Sequence, residues 1–268
     1  MKKYIGVSIL ILSFASCGPM QKALKSEDYE YKKEVANQFF EKKKYRSAIR
    51  LYEQLENVYR ANPKAEEMYY NFAEATYQTK DYILAGQRFK SFAAVYPRSE
   101  KREEALLKEI KSGVQLSPVY SLDQHVTYAT IEKLQSFIDQ YPASNFVFEA
   151  NSIMSDMNQK LEQKAFENAK QLNTIGEWTR NYGAAIIALD NFIYDYPGTK
   201  FKEDALYYKF DSAYKLAMNS VASKVEDRLN TAKSMYETLI RFNAETKYKD
   251  KADDMIKNVN KELAKFSK

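Results

Sequence analysis

A helix, a polar turn and a second helix recur along this chain, and this repeat constrains the fold more than any other feature. The clearest copy spans residues 66–99 and turns at 79–81. Aromatic and small residues follow helical spacing on both sides of the turn: Tyr69, Phe72, Ala73, Thr76, Tyr77, Tyr82, Ala85, Phe89 and Phe92. Alanine lets two helix axes approach, and Pro97 ends the second helix because it has no amide hydrogen. The pattern predicts a packed helical hairpin.

Four further copies align with this one on a residue near the start of the second helix. In chain order, the five anchor residues are Ala48, Ala85, Thr130, Ala185 and Ala232. The second, third and fourth copies end in Tyr-Pro-x-Ser/Thr, whereas the last ends at 243–246 without proline. Successive anchors are separated by more than roughly 34 residues, the length of an ideal tetratricopeptide (TPR) repeat. The copies resemble that family in the order of their residues, with longer helices or loops.

This resemblance implies an all-α, TPR-like solenoid of about five helical hairpins with a C-terminal capping helix. The repeats are expected at 28–63, 64–98, 99–143, 144–198 and 199–246, and the final helix at 247–266, all within a single helical domain that covers 28–268. Composition agrees with this fold, because only 7 Gly and 6 Pro in 268 residues leave the helix interiors nearly unbroken.

The first residues form a separate segment that is typical of secretion. Lys2 and Lys3 precede an apolar run at 4–14 that is too short to span a bilayer as a mature helix but fits the core of a signal peptide. Small residues then precede Cys17, the only cysteine. This arrangement resembles the bacterial lipobox, which implies cleavage of residues 1–16 and acylation of Cys17. Residues 17–27 are then expected to form a lipidated tether, and the absence of an acidic residue directly after Cys17 favours the periplasmic face of the outer membrane.

Charge and reactive residues argue against several classes of function. The chain has 41 Lys and Arg against 36 Asp and Glu, and its lysines alternate with glutamates rather than gathering on one stripe, so nucleic acid is not an expected partner. The sequence has no phosphate-binding glycine loop and no zinc-spaced cluster of His and Cys. The single histidine, His125, has no nucleophile or set of metal ligands in reach by sequence. We therefore expect no enzyme activity, no cofactor, no metal and no small-molecule substrate.

The whole arrangement is similar to one narrower family. The chain resembles the BamD family, the TPR lipoproteins of the outer-membrane β-barrel assembly machinery. The resemblance rests on the lipobox cysteine, the five TPR-like hairpins, the Tyr-Pro-x-Ser/Thr endings and the mid-chain Asp123-Gln124 with Thr127 and Thr130. The basic start, the early cysteine and the high Lys and Tyr content are similar to Bacteroidetes-type members. The resemblance implies a non-catalytic scaffold that docks on the POTRA domains of a BamA-like barrel protein through its C-terminal repeats. Its N-terminal repeats would receive unfolded outer-membrane proteins.

Candidate binding residues follow from helical register. In a TPR groove, the first helices of successive hairpins line a concave surface that can receive a peptide segment. The residues expected to face that groove are Lys33, Asn37 and Phe40 in the first repeat and Tyr70, Glu74 and Tyr77 in the second. Joint replacement of Tyr70 and Tyr77 is expected to weaken client binding and leave the fold intact. Trp178 lies at a corner between two helices and is a candidate partner contact, because tryptophan is enriched at binding hot spots, with core packing as the alternative.

Two other classes of function fit parts of the pattern. A SusD-like glycan-binding lipoprotein is also TPR-based and lipid-anchored, but such chains are longer and carry an early acidic export signal. A periplasmic TPR adaptor for another envelope process, such as division or peptidoglycan synthesis, is a closer alternative because a fold alone does not determine the partner. Depletion of this protein from cells would distinguish these functions. Loss of outer-membrane barrel proteins would support a role in barrel assembly, whereas misshapen cells with normal barrel proteins would support the adaptor role.

Overall fold

The computed structural model describes residues 18–60 and 62–266, and all regular structure in these ranges is helical. The expected signal peptide and Cys17 lie outside the described residues. Twelve α-helices occur there, with one short 3-10 turn at Pro63–Ala65. The α-helices are α1 Pro19–Lys25, α2 Tyr29–Glu41, α3 Tyr45–Leu55, α4 Glu66–Gln78, α5 Tyr82–Val95, α6 Arg102–Leu116, α7 His125–Gln140, α8 Val147–Thr179, α9 Tyr182–Asp195, α10 Lys202–Met218, α11 Ala222–Phe242 and α12 Lys249–Leu263. Helices α2 to α11 form five successive hairpins followed by α12, which confirms the predicted all-α, TPR-like fold class.

The chain divides into two compact units. The first contains the described residues up to Pro118 together with His125–Ile153. The second contains Val119–Gln124 and the described residues from Met154 onward. Helix α8 therefore contributes its first residues to one unit and the rest to the other.

The core of the first unit begins between α2, α3 and α4. Leu51, Tyr52 and Leu55 of α3 are fully buried, and the Tyr52 ring packs against Phe72 of α4 with ring centroids 5.6 Å apart. The next hairpin continues this core through Ala73, Ala85, Phe89 and Phe92, which form a buried cluster with Ala105 of α6. The alanines have almost no exposed surface, and their small side chains let the helices approach as the sequence predicted.

Helix α1 lies within residues 17–27, which the sequence predicts to be a tether. Pro19 begins the helix at a position where a missing amide hydrogen costs nothing. Ala23 is fully buried, and Met20 and Leu24 pack against the core cluster of α2, α3 and α4. These three residues lie at i, i+3 and i+4, so they form one apolar face. The face holds the chain against the first hairpin from residue 19 onward.

Three hairpin turns contain a non-glycine residue in the left-handed region. The φ angles are 56° at Lys43, 65° at Lys80 and 60° at Arg180. Each residue lies within two positions of a helix end, and the amide of Lys80 donates to the Tyr77 carbonyl oxygen at 2.9 Å. Glycine or asparagine usually occupies such a position because other side chains crowd the backbone there. Long basic residues therefore stand where glycine would fit with less strain.

The core of the second unit is aromatic between α8 and α10 and more aliphatic toward the C-terminus. Phe166 of α8 stacks on Phe201, with ring centroids 5.1 Å apart, and packs against Phe192 of α9 at 5.6 Å. Farther along, the buried residues form one cluster that joins α10, α11 and α12: Leu206, Phe210, Leu229, Ala232, Leu239, Ala252, Ile256 and Val259. The opposite face of α12 is polar and exposed, as expected for a helix that ends a stack of repeats.

The serine and threonine that close the repeats cap the turn into the next first helix. Their side-chain oxygens accept a hydrogen bond from the amide two residues later, at distances of 3.0 Å for Ser99, 3.2 Å for Ser144, 3.1 Å for Thr199 and 3.3 Å for Thr246. Thr246 also donates to Glu203 Oε1 at 2.5 Å. The amide of Lys247 donates to the same Glu203 oxygen at 3.1 Å. The last repeat therefore keeps this cap although it lacks the proline.

We expect Glu203→Gln to reduce the loss of stability at acid pH. Hydrogen bonds, first from Thr246, hold the pKa of the Glu203 carboxyl below its ordinary value of 4.5. A carboxyl whose pKa is lower in the folded than in the unfolded state stabilises the fold above the unfolded pKa, and this contribution disappears as the pH falls through the folded pKa. Urea unfolding at a series of pH values around and below 4.5 measures the effect. The wild-type protein should lose more stability over this window than the variant.

The matched control is Glu226→Gln, which neutralises an exposed carboxylate of α11 for which the described ranges contain no hydrogen bond or ion pair. Its pH profile should follow that of the wild type. If Glu203→Gln and Glu226→Gln gave the same profile, the capping bonds of Glu203 would not carry the acid dependence.

Candidate partner-binding surfaces

The three candidates on α2 lie at the surface but are already engaged within the first unit. Lys33 Nζ lies 2.6 Å from Glu30 Oε2 and 5.1 Å from the centre of the Tyr59 ring. The Tyr59 hydroxyl donates to Glu30 Oε1 at 2.5 Å. Burial, reinforced by the bond to Glu30, raises the pKa of Tyr59 to about 12. Asn37 Oδ1 accepts a hydrogen bond from the buried Tyr52 at 2.7 Å, so this side chain positions the core.

Phe40 is half-buried near the end of α2. Its ring meets Tyr45 edge to face, with centroids 5.7 Å apart, and it borders the core cluster of the first hairpins. Part of the ring therefore remains accessible to a partner.

Tyr70 of α4 is placed differently from the sequence expectation. The residue is 7% exposed, and its ring meets Phe89 and Phe92 edge to face at centroid distances of 5.9 Å and 5.4 Å. Burial raises the pKa of its hydroxyl, and a hydrogen bond with Glu104 adds to the rise. The ring belongs to the core, which corrects the expectation that Tyr70 could be replaced with the fold left intact.

Glu74 and Tyr77 of α4 are brought together with Lys108 of α6. Lys108 Nζ lies 3.0 Å from Glu74 Oε2 and 5.1 Å from the centre of the Tyr77 ring. The Tyr77 ring packs edge to face against Tyr82 at 5.3 Å, and burial raises the pKa of its hydroxyl. These three residues form a cluster that offers a carboxylate, a phenol and an ammonium group at one place, the Glu74–Tyr77–Lys108 cluster.

Sequence reasoning missed the basic residues along α6 and at its N-terminal cap. Besides Lys108, the cap residue Lys101 places its Nζ 4.4 Å from the centre of the Tyr70 ring, and Lys111 Nζ lies 2.6 Å from Glu149 Oε1. Residues seven apart share one face of a helix, so the spacing of Lys101 and Lys108 could have indicated them. The face shared by α4 and α6 thus alternates cations, carboxylates and aromatic rings. Such a surface can both donate to and accept from the backbone of an extended peptide.

Trp178 lies in the second unit, near the end of α8, and is 87% exposed. The alternative of core packing is therefore wrong for this residue. Two residues later, Arg180 Nη1 donates to Asn219 Oδ1 in the next hairpin turn at 2.6 Å. Val221, which follows that turn, is 65% exposed. Trp178 therefore presents a large exposed indole, and tryptophan commonly anchors a protein partner.

A buried polar network supports the helix that carries Trp178. The side-chain amide of Asn173 donates to Asp211 Oδ2 at 2.7 Å and to Ser212 Oγ at 2.8 Å. Lys215 Nζ lies 2.8 Å from Asp211 Oδ2 and 3.1 Å from Glu177 Oε1. Because α8 and α10 are joined by these bonds, the segment that carries Trp178 is firmly positioned.

Two further observations concern the residues that the structure describes. They contain no group of three or more His, Cys, Asp or Glu side chains that could hold a metal ion. None of their helices has the combined length and apolar character that a membrane crossing requires.

Comparison with known proteins places these features in context. Residues 25–179 and 178–267 match the family model YfiO, which is described as an outer membrane lipoprotein. No curated protein matches this chain. Among solved structures, it is similar to a kinesin light chain with nearly identical TPR-like repeats from Podosopora anserina, at 12% identity and a TM-score of 0.37, over 85% of this chain and 98% of that one. A point-substituted form of that same protein is also 12% identical, with a TM-score of 0.32, over 85% and 97%. At these scores, the two structures carry no further argument.

Proposed function

The chain belongs to the YfiO family of outer membrane lipoproteins, and from this membership we propose that it is a non-catalytic scaffold of the outer-membrane β-barrel assembly machinery. The match of the family model across 25–267 carries the proposal, because it covers both units and every hairpin. The repeat order and lipobox that resemble the BamD family support the same role. The basic residues at the start of the sequence, the early position of Cys17 and the high Lys and Tyr content favour a Bacteroidetes-type member.

We propose that Cys17 is acylated and holds the protein at the periplasmic face of the outer membrane. Several acyl chains on one residue anchor a protein stably, whereas a single chain binds only marginally. The family is one of lipoproteins, and the tether to the first hairpin is short because α1 already packs at residues 19–25. No cofactor, small-molecule substrate or nucleic acid enters this role.

In this proposal, the first unit receives unfolded outer-membrane proteins. The Glu74–Tyr77–Lys108 cluster and the lysines of α6 supply donors and acceptors that a peptide backbone could use. Lys33, Asn37 and Phe40 extend this surface along α2. Tyr70 supports it from the core and is not offered as a contact.

The second unit would dock on the POTRA domains of a BamA-like barrel protein. Trp178 is the strongest candidate for this contact, because its indole is 87% exposed. The network around Lys215 and Asp211 fixes the helices beneath it. A preorganised aromatic anchor gains affinity because little of its freedom is lost on binding.

Photo-crosslinking in native membranes tests this function. A photoreactive amino acid at Trp178 is expected to capture a POTRA-bearing barrel protein, because the site is exposed and rigidly supported. The matched control places the same probe at Tyr194 of α9, which is 85% exposed in the same unit. Capture from Trp178 but not from Tyr194 would identify a specific interface, since both sites meet solvent equally well.

The alternatives give different products in the same experiment. Capture of peptidoglycan or division proteins alone would replace barrel assembly by the envelope-adaptor role. Capture of a glycan-uptake protein would point to a SusD-like role. Equal capture of many proteins from both positions would argue against any docking site at Trp178.

A further inference from the structure

Four cations from two hairpin turns gather at one end of the first unit. Lys43, Lys44 and Arg46 come from the turn between α2 and α3 and the first residues of α3, and Lys80 comes from the turn between α4 and α5; we name this set the basic edge. Together with Tyr45, Ser47, Gln78 and Thr79, they line an open cavity of about 470 Å³. The sequence suggested that lysines were nowhere gathered, but folding brings together turns from two repeats.

No carboxylate lines this cavity. Across the described ranges 18–60 and 62–266, no Asp or Glu oxygen lies within ion-pair distance of any cation of the basic edge. Some lysines elsewhere in the same unit are paired with carboxylates, since Lys33, Lys108 and Lys111 lie 2.6, 3.0 and 2.6 Å from carboxylate oxygens. The basic edge therefore brings to one place four cations that lack an ion-paired carboxylate in the described ranges.

The backbone of the basic edge places long side chains where glycine would be less strained. Lys43 and Lys80 have φ angles of 56° and 65°. All four cations are exposed, so their ammonium and guanidinium groups can reach beyond the turn. Asp81, the acidic residue after Lys80, accepts a hydrogen bond from the Leu84 amide at 3.3 Å and caps α5, and it does not line the cavity.

The basic edge lies beyond the C-terminal end of α2, opposite the end at which the chain enters that helix. Helix α1 packs against α2 and α3, and most of the basic edge lies where those two helices meet. Helix α2 has 13 residues, so its two ends are only about 20 Å apart. An anchor that precedes α1 would let this end of the first unit meet the lipid surface only if the unit turns that end toward the membrane.

We infer that the basic edge binds the phosphate groups of anionic lipids at the membrane surface. Clusters of Lys and Arg close to a membrane bind anionic headgroups through charge, without a shaped pocket for one headgroup. The open cavity and the four exposed cations fit that chemistry. The inference rests on the family's membrane association and not on the barrel-assembly role, so failure of the crosslink at Trp178 would leave it standing.

Vesicle binding tests the inference. The chain from Gly18 onward keeps every described helix, and circular dichroism verifies that each protein is folded. We expect the wild-type protein to sediment with vesicles of phosphatidylcholine mixed with phosphatidylglycerol and not with vesicles of phosphatidylcholine alone. Salt should release the bound protein. The triple variant Lys43→Gln, Lys44→Gln and Lys80→Gln should lose at least about tenfold in affinity, because each basic residue near such a surface contributes roughly fivefold.

The control removes the same charge elsewhere. Lys224→Gln, Lys233→Gln and Lys251→Gln change three exposed lysines of α11 and α12, and this triple variant should bind as the wild type does. A second edge variant, Lys44→Gln with Arg46→Gln, leaves both positive-φ residues in place and should also lose affinity.

Three results would overturn the inference. An equal loss in the edge and control triple variants would show that only net charge matters. Failure of the wild-type protein to bind phosphatidylglycerol vesicles would exclude a lipid site. Calorimetric binding of inorganic phosphate without vesicle binding would assign the cavity to a soluble anion.

Discussion

Replacement of Tyr70 by alanine is expected to lower the free energy of unfolding by about 3–5 kcal/mol. The ring is 7% exposed and lies between Phe89 and Phe92, so its removal would leave a cavity that neighbouring helices could fill only in part. Truncation of a buried aromatic side chain loses both its transfer free energy and these packing contacts. Urea unfolding followed by circular dichroism measures the change.

Two variants separate the core role of Tyr70 from a general effect of losing a tyrosine. Tyr194→Ala removes a side chain that is 85% exposed and should change stability by less than about 0.5 kcal/mol. Tyr70→Phe keeps the ring and loses only the hydroxyl, so its cost should be much smaller, about 1 kcal/mol. A Tyr70→Ala protein as stable as Tyr194→Ala would mean that the ring does not hold α4 against α5.

This placement changes which residues can report on client binding. A variant that includes Tyr70 is also destabilised, so a loss of binding in that variant would not report on the groove alone. Tyr77, Glu74 and Lys108 form their contacts at the surface between α4 and α6 and are better probes. Client binding by these residues stays a prediction.

The repeat could be predicted from the sequence because its spacing rests on local helix geometry and close packing. All five anchor residues are buried: Ala48, Ala85, Ala185 and Ala232 are 0% exposed and Thr130 is 2% exposed. Small residues recur there because a larger side chain would separate two helix axes. This requirement repeats with every hairpin, so it leaves a periodic trace in one sequence.

The repeat endings could be found, but only half of their physical reason was visible. Proline explained why a helix stops, since it lacks an amide hydrogen. The hydroxyl two residues later proved to cap the turn that leads into the next first helix, and Thr246 does so without proline. Hydrogen bonds between a side chain and a nearby backbone amide are set by turn geometry, which residue identity alone does not reveal.

The candidate site was less predictable because the direction in which a side chain points depends on a small rotation of its helix about the helix axis. Tyr70 and Tyr77 are seven residues apart on α4 and both meet Phe89, yet Tyr70 is 7% exposed whereas Tyr77 is only half-buried. The basic edge joins turns from different repeats, so no local window contains it. Helix α1 is short and ambiguous in sequence, and it is stabilised mainly by packing on the first hairpin.

Replacement of Val259 by aspartate is expected to destabilise the second unit by about 4 kcal/mol or more, because it buries an unpaired charge. Val259 of α12 is 0% exposed and lies in the cluster that includes Phe210, Leu229 and Leu239. Helix α12 covers the apolar ends of α10 and α11, as a capping element must in a stack of repeats. Hydrogen–deuterium exchange should show lost protection across α10 to α12, with aggregation once the apolar faces are uncovered.

The neighbouring variant Asn260→Asp makes the same change in charge at an exposed position of the same helix. It should leave both stability and exchange unchanged, so a difference between the two variants isolates burial from charge. If Val259→Asp left α10 and α11 fully protected, α12 would not be a cap, and the second unit would end at α11. Loss of protection would instead establish that the last hairpin depends on α12, because the hairpin cannot bury its outer apolar face alone.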